Sequence, residues 1–423
     1  MAIKALVKKI IPSSTISFVR SHKNLMPTEI IKDMRANSAI EKVRKKARCN
    51  PQIRVAFIVQ MAEIWDKEAP IYEAMKKDPI FEADLIVIPP YNQEKKCVES
   101  IYDNSNFFLM NYTKCVRAVS NNTWIKLKEM GYDYVFLQRP YDHYLPLGFR
   151  SNDIVKFAKL CYVPYGFVGA DVFDGMNTNK EFFRNVYFAF LESDYMSAKL
   201  LKKFGTKRER RNHYIFSCGY PALAPYFYFP TIEKFKTFTW TPRWSFDPVI
   251  GGSNFLKYKD TFVSVVRKHP EYDFVFRPHP LMFGEILSQG LMSKDEVTDY
   301  IFLLASLGVK YDKDTPLEDS LKNTDVLITD FSTIIIQFYL TGRPIVYCES
   351  CIEMNETYLD MKKGMYIVTD ENDFIDVVDK LSNNNDYLYK ERLKIINSGF
   401  SIHKNATNNI KEIIKNDYFG EGK

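Results

Sequence analysis

A chain of 423 residues with 46% hydrophobic content is long enough for a large core, more naturally divided between two domains than held in one. No run of about eighteen apolar residues occurs, which argues against a spanning helix, and seven dispersed cysteines read as reduced thiols of a cytoplasm, not a disulfide framework. The net charge of +6 is uneven: residues 1–50 hold twelve Lys and Arg against three acids, while the remainder holds 46 against 49 and offers no basic stripe for nucleic acid.

The opening "MAIKALVKKIIPSS" sets Ile3, Leu6, Val7, Ile10 and Ile11 near one helical face, with Lys4, Lys8 and Lys9 elsewhere. That pattern suits a short helix lying on an anionic membrane surface, and it lacks the small-residue cleavage site of a secretory signal. A solvated basic tail is the plainer alternative. Residues 1–50 are therefore expected to form a basic arm distinct from the folded body, with the protein cytoplasmic and peripheral on the inner face of the cell membrane.

Past residue 50, strands alternate with helices. "RVAFIVQM" (54–61) is a compact β-branched run, the pattern of a buried parallel strand. A helix at 68–77, strand "ADLIVIPP" (83–90) and a long helix over roughly 111–130 follow. Next come strand 132–140, a helix near 153–160, strands 161–167 and 186–193, a helix at 195–204 and strand 212–221. The segment 222–235, with Pro225 and Pro230, reads as an interdomain connection. A second series starts at "FTWTPRW" (238–244) and runs through a helix at 254–268, strand "DFVFRPHP", a helix near 293–306 and "VKYDK". A short helix at 316–323, "DVLITD" (325–330), a helix from Ser332 to about Leu340, "RPIVYCE" (343–349) and terminal helices complete it. The expected architecture is α/β, two Rossmann-type doubly wound domains over 51–230 and 231–423 with a cleft between them.

Three strand ends of the second series carry donors suited to phosphate. In "FRPHP", Arg277 and His279 sit on a loop stiffened by two prolines. In "DVLITDFST", Asp330 is placed to cap a helix whose first amides, with Ser332 and Thr333, face the strand-end crevice; ordinary capping is the alternative. "TPRW" adds Arg243. Together they favour a nucleoside diphosphate group. There is no Walker A motif and no G-x-G-x-x-G. Cys348-Glu-Ser-Cys351 has a redox-like spacing but no second pair.

These residues carry a family resemblance. Strand-"TPRW…GGSNFLKYKD", "FRPHP" and "LITDFSTIIIQFYLTGRPIVYC" resemble the C-terminal domain of the CDP-glycerol glycerophosphotransferase (teichoic acid polymerase) family, specifically over 238–350 and more loosely over 51–237. The resemblance implies a GT-B-like fold, with an N-terminal acceptor domain and a C-terminal nucleotide-donor domain. His279, Ser332 and Thr333 then contact the donor pyrophosphate. The implied reaction moves glycerol phosphate, or a similar polyol phosphate, from a CDP-linked donor to a hydroxyl of a lipid-linked or polymeric glycan of teichoic acid or capsule type, releasing CMP. Such a displacement needs charge stabilisation and positioning above all, assigned to Arg277, His279 and the helix terminus. No cofactor beyond the donor is called for, and no acidic pair shows metal-ligand spacing.

One departure matters. Where the family carries His-Gly in its N-terminal domain, as its proposed general base, this chain has Tyr165-Gly166. A phenol with an ordinary pKa of about 10 is a poor base near neutrality. Asp142 and His143, in "QRPYDHYLP", are the substitute candidates, and Glu63, Trp65 and Asp66 are expected to face the cleft after the first strand. Two other classes remain open: a glycosyltransferase using a nucleotide sugar, and a non-catalytic scaffold that only binds nucleotide or polymer.

Overall fold

The computed structural model describes residues 27–420, apart from 47–49, 93–94, 96, 99–102, 122, 173–178, 204–213, 248 and 250. The amphipathic stretch expected at the start of the chain lies outside the described residues. The first sheet contains β1 (Ile53–Val59), β2 (Phe81–Val87), β3 (Cys115–Arg117), β4 (Tyr134–Leu137), β5 (Lys159–Tyr162), β6 (Phe188–Leu191) and β7 (Tyr214–Ser217). Its order is β7-β6-β5-β4-β1-β2-β3, every pair parallel. The second contains β8 (Thr237–Thr241), β9 (Asp273–Phe276), β10 (Lys310–Tyr311), β11 (Val326–Thr329), β12 (Ile345–Cys348) and β13 (Tyr366–Val368), in the order β10-β9-β8-β11-β12-β13, again all parallel. In each sheet the chain moves outward from its first strand, then returns to that strand's other side. The order therefore reverses between β1 and β4, and between β8 and β11. Crevices beyond the strands' carboxyl ends open at such points.

The strands are continuous apolar runs because helices cover both faces. Helix packing follows the same logic: α3 (Phe255–Lys268) buries Phe255, Tyr258, Phe262, Val265 and Val266, spaced three or four apart on one stripe. Phe255 and Phe262 meet the wholly buried Trp240 of β8 at ring-centroid distances of 5.7 and 4.7 Å.

Three sequence expectations need correction. Residues 105–111 are helical, but the long helix expected over 111–130 is replaced by strand β3 and a tiny hairpin pairing 119–120 with 123–124. Asn121, at φ 48°, turns that hairpin. β3 is a three-residue edge strand, too short and too exposed to show a hydrophobic signature. Edge strand β13, also of three residues but largely buried, went unread because it is too short to show a pattern.

The arm expected over 1–50 is, from residue 27, part of the folded body. Helix α1 (Pro27–Arg44) buries Ala36, Ile40 and Val43 and is clamped to the first domain by ion pairs. Arg184 reaches Glu29 at 2.6 Å and Asp33 at 3.1 Å, and Lys32 reaches Glu181 at 2.9 Å. Its widely spaced apolar positions were masked by surrounding charge.

The third correction concerns the chain's last helix, α5 (Ala406–Phe419), which returns to the first domain. Asp417 accepts hydrogen bonds from Tyr134 (2.5 Å), Tyr187 (3.0 Å) and Lys159 (2.5 Å), and Lys411 pairs with Asp78 at 3.0 Å. The chain thus crosses between domains twice, and the crossings touch. The Nδ1 of His403 accepts the Tyr220 amide hydrogen at 2.9 Å. Gly219 has φ 85°, and a Cβ there would stand 2.7 Å from the Ile402 carbonyl oxygen, so only glycine lets the crossings approach this closely. Within the connection expected at 222–235, residues 221–228 form a 3-10 stretch that buries Leu223 and Tyr226.

Glu68 opens α2 (Ala69–Lys76), its carbonyl accepting from Ile71 and Tyr72. Its carboxyl is fully buried, neither oxygen has a hydrogen-bond partner among the described residues, and burial pushes its pKa up to about 8. A pKa raised on folding means the folded state holds the proton more tightly. The stability linked to Glu68 is complete below its ordinary carboxylate range and is lost as pH rises through about 8. Glu68→Gln is expected to stabilise the protein by about 3 kcal/mol at pH 7 and by far less at pH 5. Denaturant melts at both values test this: a gap between variant and parent that does not widen with pH would contradict it.

Candidate active site

The second sheet's switch point is built by β8 and β11. Thr329 donates to the Thr241 carbonyl (3.2 Å), and Thr241 donates to that of Ile328 (3.3 Å), locking the two strand ends together. Just beyond, the buried Asp330 accepts the Arg243 amide hydrogen through Oδ2 at 2.8 Å and the Asn254 side-chain amide through Oδ1 at 3.0 Å. Burial pushes Asp330 up to about 6 against these hydrogen bonds. Asp330 is therefore not the helix cap that was expected. Helix α4 covers only Ile334–Tyr339, and its N-cap residue is Thr333, whose side chain makes no capping hydrogen bond. The aspartate is a strut that joins three loops, because Asn254 also donates to the carbonyls of Cys348 and Glu349 at 3.1 Å each.

Arg243 is held over this strut. Its Nη1 donates to the Phe331 carbonyl at 3.0 Å, and its guanidinium lies 5.8 Å from the Phe331 ring centroid. Ser253 donates to the Arg243 carbonyl at 2.7 Å, closing the loop from below. Ser332 is half-buried and its hydroxyl accepts the Ile334 amide at 3.4 Å; Thr333 is exposed.

His279 stands at the exposed rim, its ring 6.2 Å from that of Trp244. Its Nδ1 accepts the Leu281 amide at 3.2 Å, so the neutral ring carries its proton on Nε2. Burial, and then the nearby Arg243 charge, lower its pKa. At neutral pH the ring is an uncharged Nε2–H donor. Arg277 is engaged elsewhere: its Nη1 bonds Asp312 at 2.8 Å, with both side chains largely enclosed. Burial works against ionisation of Asp312, but hydrogen bonds from Thr315, Ser320 and Arg277 outweigh it and hold the pKa at about 2. Arg277 therefore braces the loop that presents His279. The Cys348–Cys351 spacing makes no pair, since Cys348 is buried, Cys351 is exposed and both are free thiols.

The first sheet's switch point lies between the ends of β1 and β4. Gln138 accepts the amides of Gln60 (2.6 Å) and Met61 (3.0 Å), and Arg139 donates to Gln60 Oε1 at 3.0 Å. The Arg139 guanidinium lies 4.4 Å from the Tyr144 ring centroid. Tyr141 and Tyr165 share a 2.9 Å hydrogen bond between their hydroxyls. Burial, and then this bond, raise the pKa of Tyr165 further, which deepens its unsuitability as a base. Asp142 faces inward: its carboxylate accepts the Ser151 amide (2.7 Å) and hydroxyl (2.6 Å), and burial raises its pKa. His143 is exposed beside Tyr144, ring centroids 4.0 Å apart. Trp65 does not face a cleft; it is buried, and its Nε1 donates to the Tyr112 hydroxyl at 2.6 Å.

The two switch points meet at one junction. The loop after β5 rests on the second domain, where Asn355 donates to the carbonyls of Gly169 (2.9 Å) and Val168 (2.7 Å). The Tyr358 ring bridges Phe167 (5.9 Å) and Phe331 (5.6 Å), so the Tyr165 loop adjoins the segment holding Ser332. His279, Arg243, Asp330, Ser332 and Thr333 thus cluster around one strand-end crevice, and His143 and Asp142 belong to the other domain. Asn254, Ser253, Asp312 and Arg139 were not singled out in the sequence. The only signal for Arg139 is that Arg139-Pro140 repeats, after β4, the Arg277-Pro278 found after β9.

Two parallel Rossmann-type sheets, doubly cross-connected and with polar groups gathered where each strand order reverses, define a GT-B-like α/β fold. Solved structures share it. The UDP-GlcNAc 2-epimerase of Neisseria meningitidis is 11% identical, covering 86% of this chain and 100% of its own at a TM-score of 0.58. That of Methanocaldococcus jannaschii is 14% identical, with 86% and 100% covered at 0.55. A variant of the wall teichoic acid polymerase TagF is 13% identical, with 94% and 99% covered at 0.54. At such identities the likeness concerns the fold. No protein of curated function matches significantly. Residues 235–415 match the family model of CDP-Glycerol:Poly(glycerophosphate) glycerophosphotransferase. The motif resemblance is thereby shown over the C-terminal domain, where the chain is similar to that family.

Proposed function

We propose that this protein transfers glycerol phosphate, or a similar polyol phosphate, from a CDP-linked donor to a hydroxyl of a lipid-linked or polymeric cell-surface glycan. The observation that carries the reading is that the matched segment, 235–415, contains the whole Arg243–Asn254–His279–Asp330–Ser332 crevice. In this reading the acceptor oxygen attacks phosphorus, the phosphoanhydride bond breaks, and CMP leaves with the electron pair. Arg243, the His279 Nε2–H and the hydroxyls of Ser332 and Thr333 stabilise charge on the pyrophosphate, and Arg277 acts through Asp312 as a positioning residue. The acceptor's proton goes to His143. Asp142 is unsuited to that step because both its oxygens are occupied by Ser151.

A second reading, transfer from a nucleotide sugar, is favoured by the fold likeness to the two UDP-GlcNAc 2-epimerases. One screen separates them. The purified protein is offered CDP-glycerol, CDP-ribitol and common UDP-sugars with a polyol-phosphate acceptor. Release of CMP supports the phosphotransferase, release of UDP the glycosyltransferase, and no release with any donor favours a scaffold.

Membrane contact is proposed for residues 1–22. Among the described residues no helix is long and apolar enough to cross a membrane. Lys32, Arg44 and Lys45 already pair with acids, while Lys4, Lys8, Lys9, Arg20 and Lys23 precede residue 27. Each contributes at most about 1 kcal/mol near an anionic surface. Deleting residues 1–22 is expected to release the protein from anionic vesicles in sedimentation, while activity on a short water-soluble acceptor survives. Undiminished sedimentation of the truncated form at about 0.15 M salt would place the contact in the folded body instead.

A further inference from the structure

We propose that Arg139, with the Tyr141–Tyr165 hydroxyl pair, forms a binding site for a phosphate ester carried by the acceptor. Arg139 occupies the first sheet's switch point, the place in such sheets where ligands bind. It is a half-buried cation without a carboxylate: among the described residues its one hydrogen bond goes to Gln60, and its other close neighbours are tyrosines. Burial accordingly lowers its pKa, with no acid countering it. Elsewhere, Arg54, Arg184, Arg277 and Arg392 each pair with an acid, and Arg343 is enclosed by four backbone carbonyls.

A sheltered guanidinium with unspent N–H donors matches the paired oxygens of a phosphate. Gln60 fixes its orientation. The Gln60 side-chain NH2 is committed to the Tyr144 carbonyl at 3.0 Å, so only its oxygen faces Arg139. The tyrosine pair supplies a further donor, because of two hydroxyls sharing one hydrogen bond, one still has a proton to give. The Tyr165 loop lies against the donor domain beside Phe331, so a phosphate held here brings its neighbouring hydroxyl to the donor's side of the junction. The second domain mirrors this arrangement, with Arg243 at its own switch point. One phosphate-reading arginine per sheet suits a reaction whose donor and acceptor both carry phosphate.

The inference rests on the reading of the first domain as the acceptor domain, and its test is a binding measurement that needs no turnover. The probe is sn-glycerol 3-phosphate titrated calorimetrically into the full-length protein, with glycerol and CDP as companions. Expected results are saturable binding of glycerol 3-phosphate, none of glycerol, and weakening by roughly 10- to 100-fold in Arg139→Gln. Arg139→Lys keeps part of the affinity, which distinguishes charge recognition from a folding defect, and CDP affinity is unchanged in both variants. The proposal is overturned if the parent protein does not bind glycerol 3-phosphate, if Arg139→Gln binds it equally well, or if glycerol binds as tightly. An equal loss of CDP affinity overturns it too, by assigning Arg139 to the donor. Should the donor screen release no CMP while glycerol 3-phosphate binding depends on Arg139, the functional reading fails and this site stands.

Discussion

His279→Ala is expected to lower turnover by roughly 100- to 1000-fold, the usual cost of removing one preorganised donor to developing charge. The expectation follows from the ring's fixed tautomer: Nδ1 is occupied by the Leu281 amide, leaving Nε2–H as the outward donor. Partial enclosure of the ring and then the Arg243 charge lower its pKa, so activity should depend little on His279 titration above neutral pH and decline only in acid. His279→Asn, which restores a donor of shorter reach, should recover part of the rate. The comparison is made in single-turnover CMP release at saturating donor, beside a thermal melt. The ring is exposed at the crevice rim, so the fold should survive the substitution. Near-parental rates in His279→Ala would remove the histidine from the phosphate site.

His143→Ala should cost roughly 100- to 10,000-fold in the chemical step, the span of general-base assistance, with donor affinity unchanged. Its ring is exposed against Tyr144, on the domain opposite the donor crevice. Asp142→Ala is expected to act differently. Removing it orphans the buried Ser151 amide and hydroxyl, so the variant loses stability first and activity through it. Thermal melts separate the two: His143→Ala keeps the parental melting temperature, whereas Asp142→Ala lowers it. If His143→Ala instead weakens CDP binding, the residue belongs to the nucleotide and the base lies elsewhere.

Much of this was legible in the sequence. The strands announce themselves as apolar β-branched runs, since a strand covered on both faces must be apolar throughout, and "RVAFIVQM", "DFVF" and "DVLIT" all become central strands. Helix α3 is written in its three-and-four spacing. Motif order determined that Arg243, His279, Asp330 and Ser332 follow strands of one domain, and their separate strand ends do meet in one crevice. These are consequences of local pattern, because hydrophobic period and turn chemistry depend on neighbours in the chain.

Tertiary structure alone decided which charges are spent. Arg277 and Arg139 look alike in sequence, each preceding a proline after a strand, yet Arg277 finds Asp312 thirty-five residues away and Arg139 finds no acid among the described residues. Asp330 looks like a helix cap and is a strut, because Arg243 and Asn254 reach it before the helix does. The charged segment at 27–44 looks like a solvated arm and docks, because Glu29 and Asp33 meet Arg184. The last helix leaves its own domain to place Asp417 beneath Tyr134, Tyr187 and Lys159. Each of these depends on partners between 35 and 283 residues apart. A side chain's charge is fixed by its type, but whether that charge is available is fixed by whatever folding brings beside it.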